Sequence, residues 1–132
     1  MERRTFLAAT ASFLVLPIAA KAATFVDYTP GLIQTALNQG RTVFVDFSAT
    51  WCSTCRRQER VINALRAENA AYDSAMMFVK VDWDTFRNHQ VTTSRGIPRR
   101  STLLVLRGGN ELGRIVAGTS QSQIKELMDK GL

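Results

Sequence analysis

Apolar residues fall into short runs and spaced stripes over residues 23–132, and each pattern predicts an element. Val43-Phe44-Val45, Asp46 and Phe47 form a run rich in β-branched and aromatic side chains. That is the composition of a buried strand at 43–47, with one carboxylate inside it. Residues 76–81 read as a second central strand closed by Asp82-Trp83-Asp84, and Phe25-Val26 as a short edge strand. Strands at 102–106 and 111–116 flank Gly108-Gly109-Asn110, which predicts a hairpin with a short loop, and Gly118 ends the second strand. Leu32, Ile33, Ala36 and Leu37 form the buried stripe of a helix over 30–38, with Thr29 as its cap, Pro30 at its first position and Gly40 just past its end. Val61, Ile62 and Leu65 mark the apolar face of a long helix over about 52–70. A short, weakly patterned helix is expected over 86–94, and Ser120 caps a last amphipathic helix carrying Ile124, Leu127 and Met128. Strands joined first by helices and last by a hairpin imply an α/β fold, a central mixed sheet with helices on both faces.

Length changes little in this picture: 132 residues hold one domain with a sizeable core. Charge excludes one function class. The formal net charge is +6, but beyond residue 22 there are 14 basic against 10 acidic residues, dispersed and with little aromatic interleaving. No basic stripe of the kind that binds nucleic acid is formed.

Residues 1–22 stand apart from the domain. Arg3-Arg4 precede an apolar segment at 6–20, and Ala20-Lys21-Ala22 places small residues at the −3 and −1 positions of a cleavage site. The reading is a cleavable export signal at 1–22 and a mature domain at 23–132, located in the periplasm. The apolar segment is about 15 residues, short of the roughly 20 that span a bilayer as a helix. E-R-R-T-F-L resembles the twin-arginine export signal. Thr10, Ser12 and Pro17 weaken the apolar stretch and Lys21 sits just before the cleavage point, features that suit that route. The plainer alternative is a general secretory signal whose two arginines are its positive region.

Candidate chemistry lies where the strand at 43–47 gives way to the long helix. Ser48-Ala49-Thr50 and Trp51 are followed by Cys52 and Cys55, a single C-x-x-C pair rather than a disulfide framework. Cys52 falls at or just before a helix N-terminus, where unpaired N–H groups and the helix dipole favour an anion. A thiolate is such an anion, so Cys52 is expected to titrate below the free-thiol value of about 8.5. Cys55, one turn on, is expected to be more buried and placed to attack a mixed disulfide formed at Cys52. A zinc site needs more ligands than the pair and lone His89 provide, so no metal and no other cofactor is expected. A permanently oxidised structural disulfide would suit an exported protein but explains neither Trp51 nor Asp46. A carboxylate inside an apolar strand costs several kcal/mol unless it is hydrogen-bonded or neutralised, so Asp46 is either a satisfied buried acid or a functional one. Arg56, Arg57, Glu59 and Arg60 read as a solvated helix face, Met76 and Met77 as core and rim, and His89 as a surface residue.

The segment V-D-F-S-A-T-W-C-S-T-C at 45–55 resembles the active site of thioredoxin-like thiol–disulfide oxidoreductases: a buried aspartate, a tryptophan, then C-x-x-C opening a helix. F-V-K-V-D-W-D at 78–84, G-I-P at 96–98 and S-T-L-L-V-L at 101–106 carry the resemblance over most of 42–132. Within that family it is nearest the periplasmic branch, including the C-terminal domain of membrane thiol reductases. The resemblance implies a thioredoxin fold and an enzyme of the protein-disulfide reductase type. Cys52 then attacks or is attacked, Cys55 resolves, and Asp46 accepts the second proton with Lys80 close by on the neighbouring strand. Trp51, Ile97, Pro98, Arg100 and Ser101 become the expected substrate-binding positions. Expected partners are disulfide-bonded or thiol-containing periplasmic proteins, reduced rather than oxidised, with a membrane electron donor behind them and the chain itself a monomer. The alternative is a redox-sensing binding or assembly factor of the same fold that captures a partner without turnover.

Several residues depart from the family pattern. Ser53-Thr54 lies between the cysteines where cytoplasmic thioredoxins carry Gly-Pro and the strongest disulfide donors Pro-His, so no extreme oxidant is expected. The helix after Cys55 lacks the family's kinking proline. The family places a cis-proline directly before a strand, yet Arg99-Arg100-Ser101 separate Pro98 from Thr102. A strand starting after Pro98 would cover 99–107, long against a mean of about 5–6 residues. Ser101 is therefore expected in the proline's place, with Pro98 upstream in the loop, and Ser101→Pro is then expected to be tolerated. Arg99 and Arg100 are either a solvated pair or a rim that attracts acidic partners.

Overall fold

The computed structural model describes residues 24–132, together with 11, 12 and 14. The export signal expected at 1–22 otherwise lies outside the described residues. From residue 24 the chain forms β1 (Val26–Asp27), α1 (Leu32–Asn38), β2 (Thr42–Ser48), α2 (Ser53–Glu68), α3 (Ala71–Ala75) and β3 (Met76–Asp82). It continues with α4 (Trp83–Phe86), α5 (Gln90–Thr93), β4 (Thr102–Arg107), β5 (Asn110–Val116) and α6 (Gln121–Asp129). The strands make one sheet in the order β1-β3-β2-β4-β5. β3 runs parallel to β1 and β2, while β4 runs antiparallel to β2 and β5. The expected mixed sheet is thus the observed one.

β2 is central, and all seven of its residues are buried. Alternation along it divides the core. Val43, Val45 and Phe47 join Val79, Val81, Leu104 and Leu106 beneath α1, which contributes Ile33, Ala36 and Leu37. Phe44 faces the other way, with Phe78, Leu103 and Val105, against Ile62 and Leu65 of α2 and Ile124, Leu127 and Met128 of α6. Each such side chain removed from water stabilises the fold by about 1.5–3 kcal/mol before entropy is counted. With its own backbone paired on both edges and helices on both faces, β2 is the most firmly held element, and the site hangs from its C-terminal end.

Three helix boundaries differ from the sequence expectation. α1 begins at Leu32, not Pro30, because Gly31 sits at φ 89° and Thr29 and Pro30 form a turn, with Leu32 N–H donating to Thr29 C=O at 3.0 Å. Its end is as expected: Gly40 at φ 78° allows Gly40 N–H to reach Leu37 C=O and Arg41 N–H to reach Ala36 C=O, both at 3.0 Å, closing a Schellman motif. The long helix stops at Glu68. Asn69 turns extended and its side chain accepts from Ala71 N–H at 3.0 Å, starting α3, which carries Tyr72 into the core. The single helix expected over 86–94 is two short ones, α4 capped by Asp82 and α5 capped by His89, whose Nδ1 accepts from Val91 N–H at 3.1 Å. His89 is consequently not a free surface group: it is half-buried against the rings of Tyr28 and Phe86.

Candidate active site around the Cys52–Cys55 disulfide

The four residues after β2 turn the chain into α2. Cys52 N–H donates to Ala49 C=O at 3.2 Å, and Cys52 becomes the N-cap of α2, with extended backbone at φ −91°, ψ 111°. Its Sγ accepts from Cys55 N–H at 3.2 Å, taking up one of the donors that a helix start leaves unpaired. The same donor and the helix dipole favour negative charge on that sulfur once the pair is reduced. Cys52 and Cys55 are joined as a disulfide with Cα atoms 5.3 Å apart. Both are buried, Cys52 at 3% and Cys55 at 1% exposure, so the expected contrast in burial between them is slight in this oxidised state.

Trp51 stands out from this buried pair, 55% exposed. Its indole Nε1 donates to Asp84 of α4 at 2.9 Å, and the Arg100 guanidinium lies 4.4 Å from its ring centroid. Trp51 and Arg100 thus form a rim over the disulfide, pinned to α4 on one side. Arg99 donates from Nε to Arg100 C=O at 3.0 Å, which stiffens the same loop.

Ser101, not Pro98, faces the sulfurs. Its Oγ lies 3.0 Å from Cys55 Sγ and 3.3 Å from Cys52 Sγ, and the residue is fully buried, while Pro98 is exposed upstream and β4 starts at Thr102. Ile97 turns its side chain into the core under α1, away from the disulfide. The proline-like geometry implied by the family resemblance is absent: no cis peptide bond occurs among the described residues, and Ser101 adopts φ 64°. Its N–H donates to Phe47 C=O at 2.7 Å and its C=O accepts from Ala117 N–H at 2.9 Å. This reverses the expectation that Ser101→Pro is tolerated. Proline is fixed near φ −65° and has no N–H, so it can neither match the backbone nor keep the bond to Phe47. Ser101→Pro should lower stability by about 3 kcal/mol or more. A urea midpoint equal to that of the parent would show that the loop rebuilds around the ring.

Asp46 lies on β2 between Lys80 of β3 and Leu103 of β4. It shares a face with Phe44, beneath α2. It is fully buried, and neither carboxylate oxygen has a hydrogen-bond partner among the protein's groups. Burial pushes its pKa up from 3.8 to about 7, against the opposing charge of Lys80 and with a smaller upward push from Glu59. Lys80 Nζ in turn donates to Glu59 Oε1 at 2.9 Å. Glu59 and Lys80 also line an open cavity of about 260 Å³ with Ser48, Thr50, Arg56 and Asp82, at the C-terminal end of β2. A carboxyl group that titrates near neutrality, sealed under the helix that carries Cys55, is suited to take up and return a proton.

Two site residues were missed by the sequence reading. Glu59 is a partner of Lys80 and not a member of a solvated face, although Arg57 and Arg60 are exposed as expected, and Arg56 is exposed while its guanidinium donates to Thr50 C=O at 3.0 Å. Gln58 is fully buried, and its Nε2 donates to the carbonyls of Ser101 at 3.0 Å and Gly118 at 2.9 Å. Their spacing held the signal: positions three and four after Cys55 share its helix face and so look toward the sheet.

A comparison with known proteins agrees with this geometry. The protein-family model described as Thioredoxin matches residues 26–130. Thioredoxin 1 of Nostoc sp. is 29% identical over 99 residues, covering 75% of this chain and 88% of that protein. Thioredoxin H2-1 of Oryza sativa is 32% identical over 92 residues, covering 70% and 62%. Among solved structures, Trxlp from Edwardsiella tarda superposes with a TM-score of 0.66 at 31% identity, covering 77% of this chain and 97% of that one. Thioredoxin NaTrxh from Nicotiana alata gives 0.67 at 27%, covering 86% and 97%. With a helix-capping C-x-x-C disulfide, a buried aspartate beneath it and a family match over nearly the whole described domain, the chain belongs to the thioredoxin family and is a thiol–disulfide oxidoreductase.

Proposed function

We propose that this thioredoxin-family protein is exported, with residues 1–22 as a cleavable twin-arginine signal, and that residues 23–132 reduce protein disulfides in the periplasm. In this it stands nearest the periplasmic branch of the family and the C-terminal domain of membrane thiol reductases. The observation that carries the exchange chemistry is Asp46, buried with a pKa of about 7 beneath the helix of Cys55. The reducing direction rests on the resemblance to the reductive branch. In a reducing turnover the Cys52 thiolate attacks one sulfur of the partner's disulfide, forming the mixed disulfide and expelling the other partner sulfur as a thiolate. Cys55 passes its proton to Asp46 and attacks Cys52 Sγ. The internal disulfide re-forms and the second partner sulfur leaves as a thiolate, so two electrons have moved to the partner. The closing step needs Cys55 deprotonated at neutral pH, and a base titrating near 7 is matched to it. A membrane electron donor returns the dithiol. Partners with an acidic residue beside the disulfide are favoured by Arg100 on the Trp51 ring, and the protein acts as a monomer.

Equilibration with glutathione and fractionation of expressing cells test this reading together. The reduction potential should lie in the range of about −200 to −270 mV spanned by glutaredoxins and thioredoxins. The precursor carrying Arg3→Lys and Arg4→Lys should accumulate uncleaved in the cytoplasm. A potential near the roughly −120 mV of a dedicated oxidant would overturn the direction. Retention of the parent protein in the cytoplasm would overturn the compartment, and normal processing of the double-lysine precursor would assign export to the general secretory route.

A further inference from the structure

A fully buried hydroxyl needs a hydrogen-bond partner, and the partners of Ser101 Oγ are the two sulfurs of the redox pair. At 3.0 Å from Cys55 Sγ and 3.3 Å from Cys52 Sγ it reaches both without moving. The hydroxyl is also held in place. Ser101 N–H is bonded to Phe47 of β2, and its C=O accepts from Ala117 N–H and from the Gln58 side chain of α2. Gln58 spans onward to Gly118, so β2, α2 and the end of β5 all fix the position of one serine.

We propose that Ser101 is a catalytic residue of the exchange, whose O–H donates to the Cys52 sulfur while that is the attacking thiolate and to the Cys55 sulfur when that becomes the thiolate. The inference rests on thiol–disulfide exchange as such and is independent of the direction and compartment proposed above. Sulfur in a disulfide accepts hydrogen bonds weakly, whereas a thiolate accepts strongly, so the bond from Ser101 strengthens when the disulfide opens. It therefore stabilises the reduced, ionised pair relative to the disulfide and makes each thiolate easier to form. Ser101 keeps its proton throughout, and the atoms and electrons of the exchange balance as already written. Gln58 is a positioning residue for the same hydroxyl.

Asp46 on β2, Lys80 on β3, Arg56 and Glu59 on α2, Asp84 on α4 and Arg100 before β4 supply the charges around the pair, and the test leaves all of them in place. Ser101→Ala removes the hydroxyl but keeps the Cβ at φ 64°, whereas Ser101→Gly removes it and relaxes the backbone, since glycine adopts that conformation freely. Reduced protein is alkylated with iodoacetamide across pH 5 to 9, and its equilibrium with glutathione is measured at pH 8. Loss of one hydrogen bond to an ionised sulfur should raise the midpoint of Cys52 alkylation by about one pH unit in both variants. Below the midpoint the rate should fall about threefold to fourfold, because the less acidic thiolate is also more nucleophilic. The glutathione equilibrium should move up to about tenfold toward the disulfide, equivalent to about 30 mV. Alkylation midpoints and equilibria unchanged in both variants would overturn the proposal. Shifts of opposite sign in Ala and Gly would overturn it equally, by tracing the effect to backbone strain. A failure of the reducing, exported reading would show separately, in the potential and location of the parent protein.

Discussion

Asp46→Asn should stabilise the oxidised protein by about 4 kcal/mol at pH 9 and by almost nothing at pH 4. The buried carboxyl titrates at about 7 in the folded state against 3.8 when solvated. The folded state therefore binds this proton more tightly than the unfolded chain does. Parent stability is fullest below the unfolded value and falls as pH rises from about 4 to about 7. Above that the carboxylate is charged in a site with no hydrogen-bond partner, and the penalty is constant. Asparagine removes the titration while keeping the shape, so the variant's stability should be flat over the same window. Urea unfolding of both proteins at pH 4 and pH 9 measures the difference. Parallel pH profiles would mean that Asp46 ionises without cost, and the proton-acceptor role would lose its basis. The gain in stability has a functional counterpart: without a base under α2, closure of the mixed disulfide at neutral pH should slow by about a hundredfold.

Cys52→Ser should abolish turnover of a protein disulfide, whereas Cys55→Ser should stop it one step later and accumulate a mixed disulfide with the partner. The asymmetry follows from the helix start. Cys52 Sγ accepts the Cys55 N–H, and beside it stands the exposed Trp51 with the half-buried Arg100 over its ring. Cys55 lies one turn inside α2, so the donors of the helix start favour a thiolate at Cys52 rather than at Cys55. Non-reducing electrophoresis and intact mass after mixing each variant with an oxidised partner distinguish the two outcomes. Trapping by Cys52→Ser and none by Cys55→Ser would exchange the nucleophile and resolver assignments.

Much of this fold was legible along the chain because its strands are buried and its polar punctuation is strong. The run at 43–47 admitted only a central strand, Gly40 and Ser120 ended and started helices by their local chemistry, and Gly108-Gly109 marked the hairpin. The strand–C-x-x-C–helix order alone places Cys52 at a helix cap. Where the reading failed, a local turn or cap, in one case backed by a distant ring, had replaced the expected element. Pro30 looked like a helix start until Gly31 took a left-handed turn, and His89 looked like a surface residue until it capped α5 against Tyr28 and Phe86.

The sequence by itself determined the individual strands, the cysteine pair and the presence of one carboxylate in the core, because each depends on residue type and short-range spacing. Only the tertiary structure decided what surrounds the sulfurs. Glu59 reaches Lys80 across 21 positions, and Ser101 meets Cys55 across 46 and shares its carbonyl with Gln58 across 43. Such partners are set by strand register and by the way α2 lies on the sheet. The left-handed backbone that turns a serine hydroxyl onto the disulfide is likewise imposed by its bonds to Phe47 and Ala117, since an isolated serine has no preference for it.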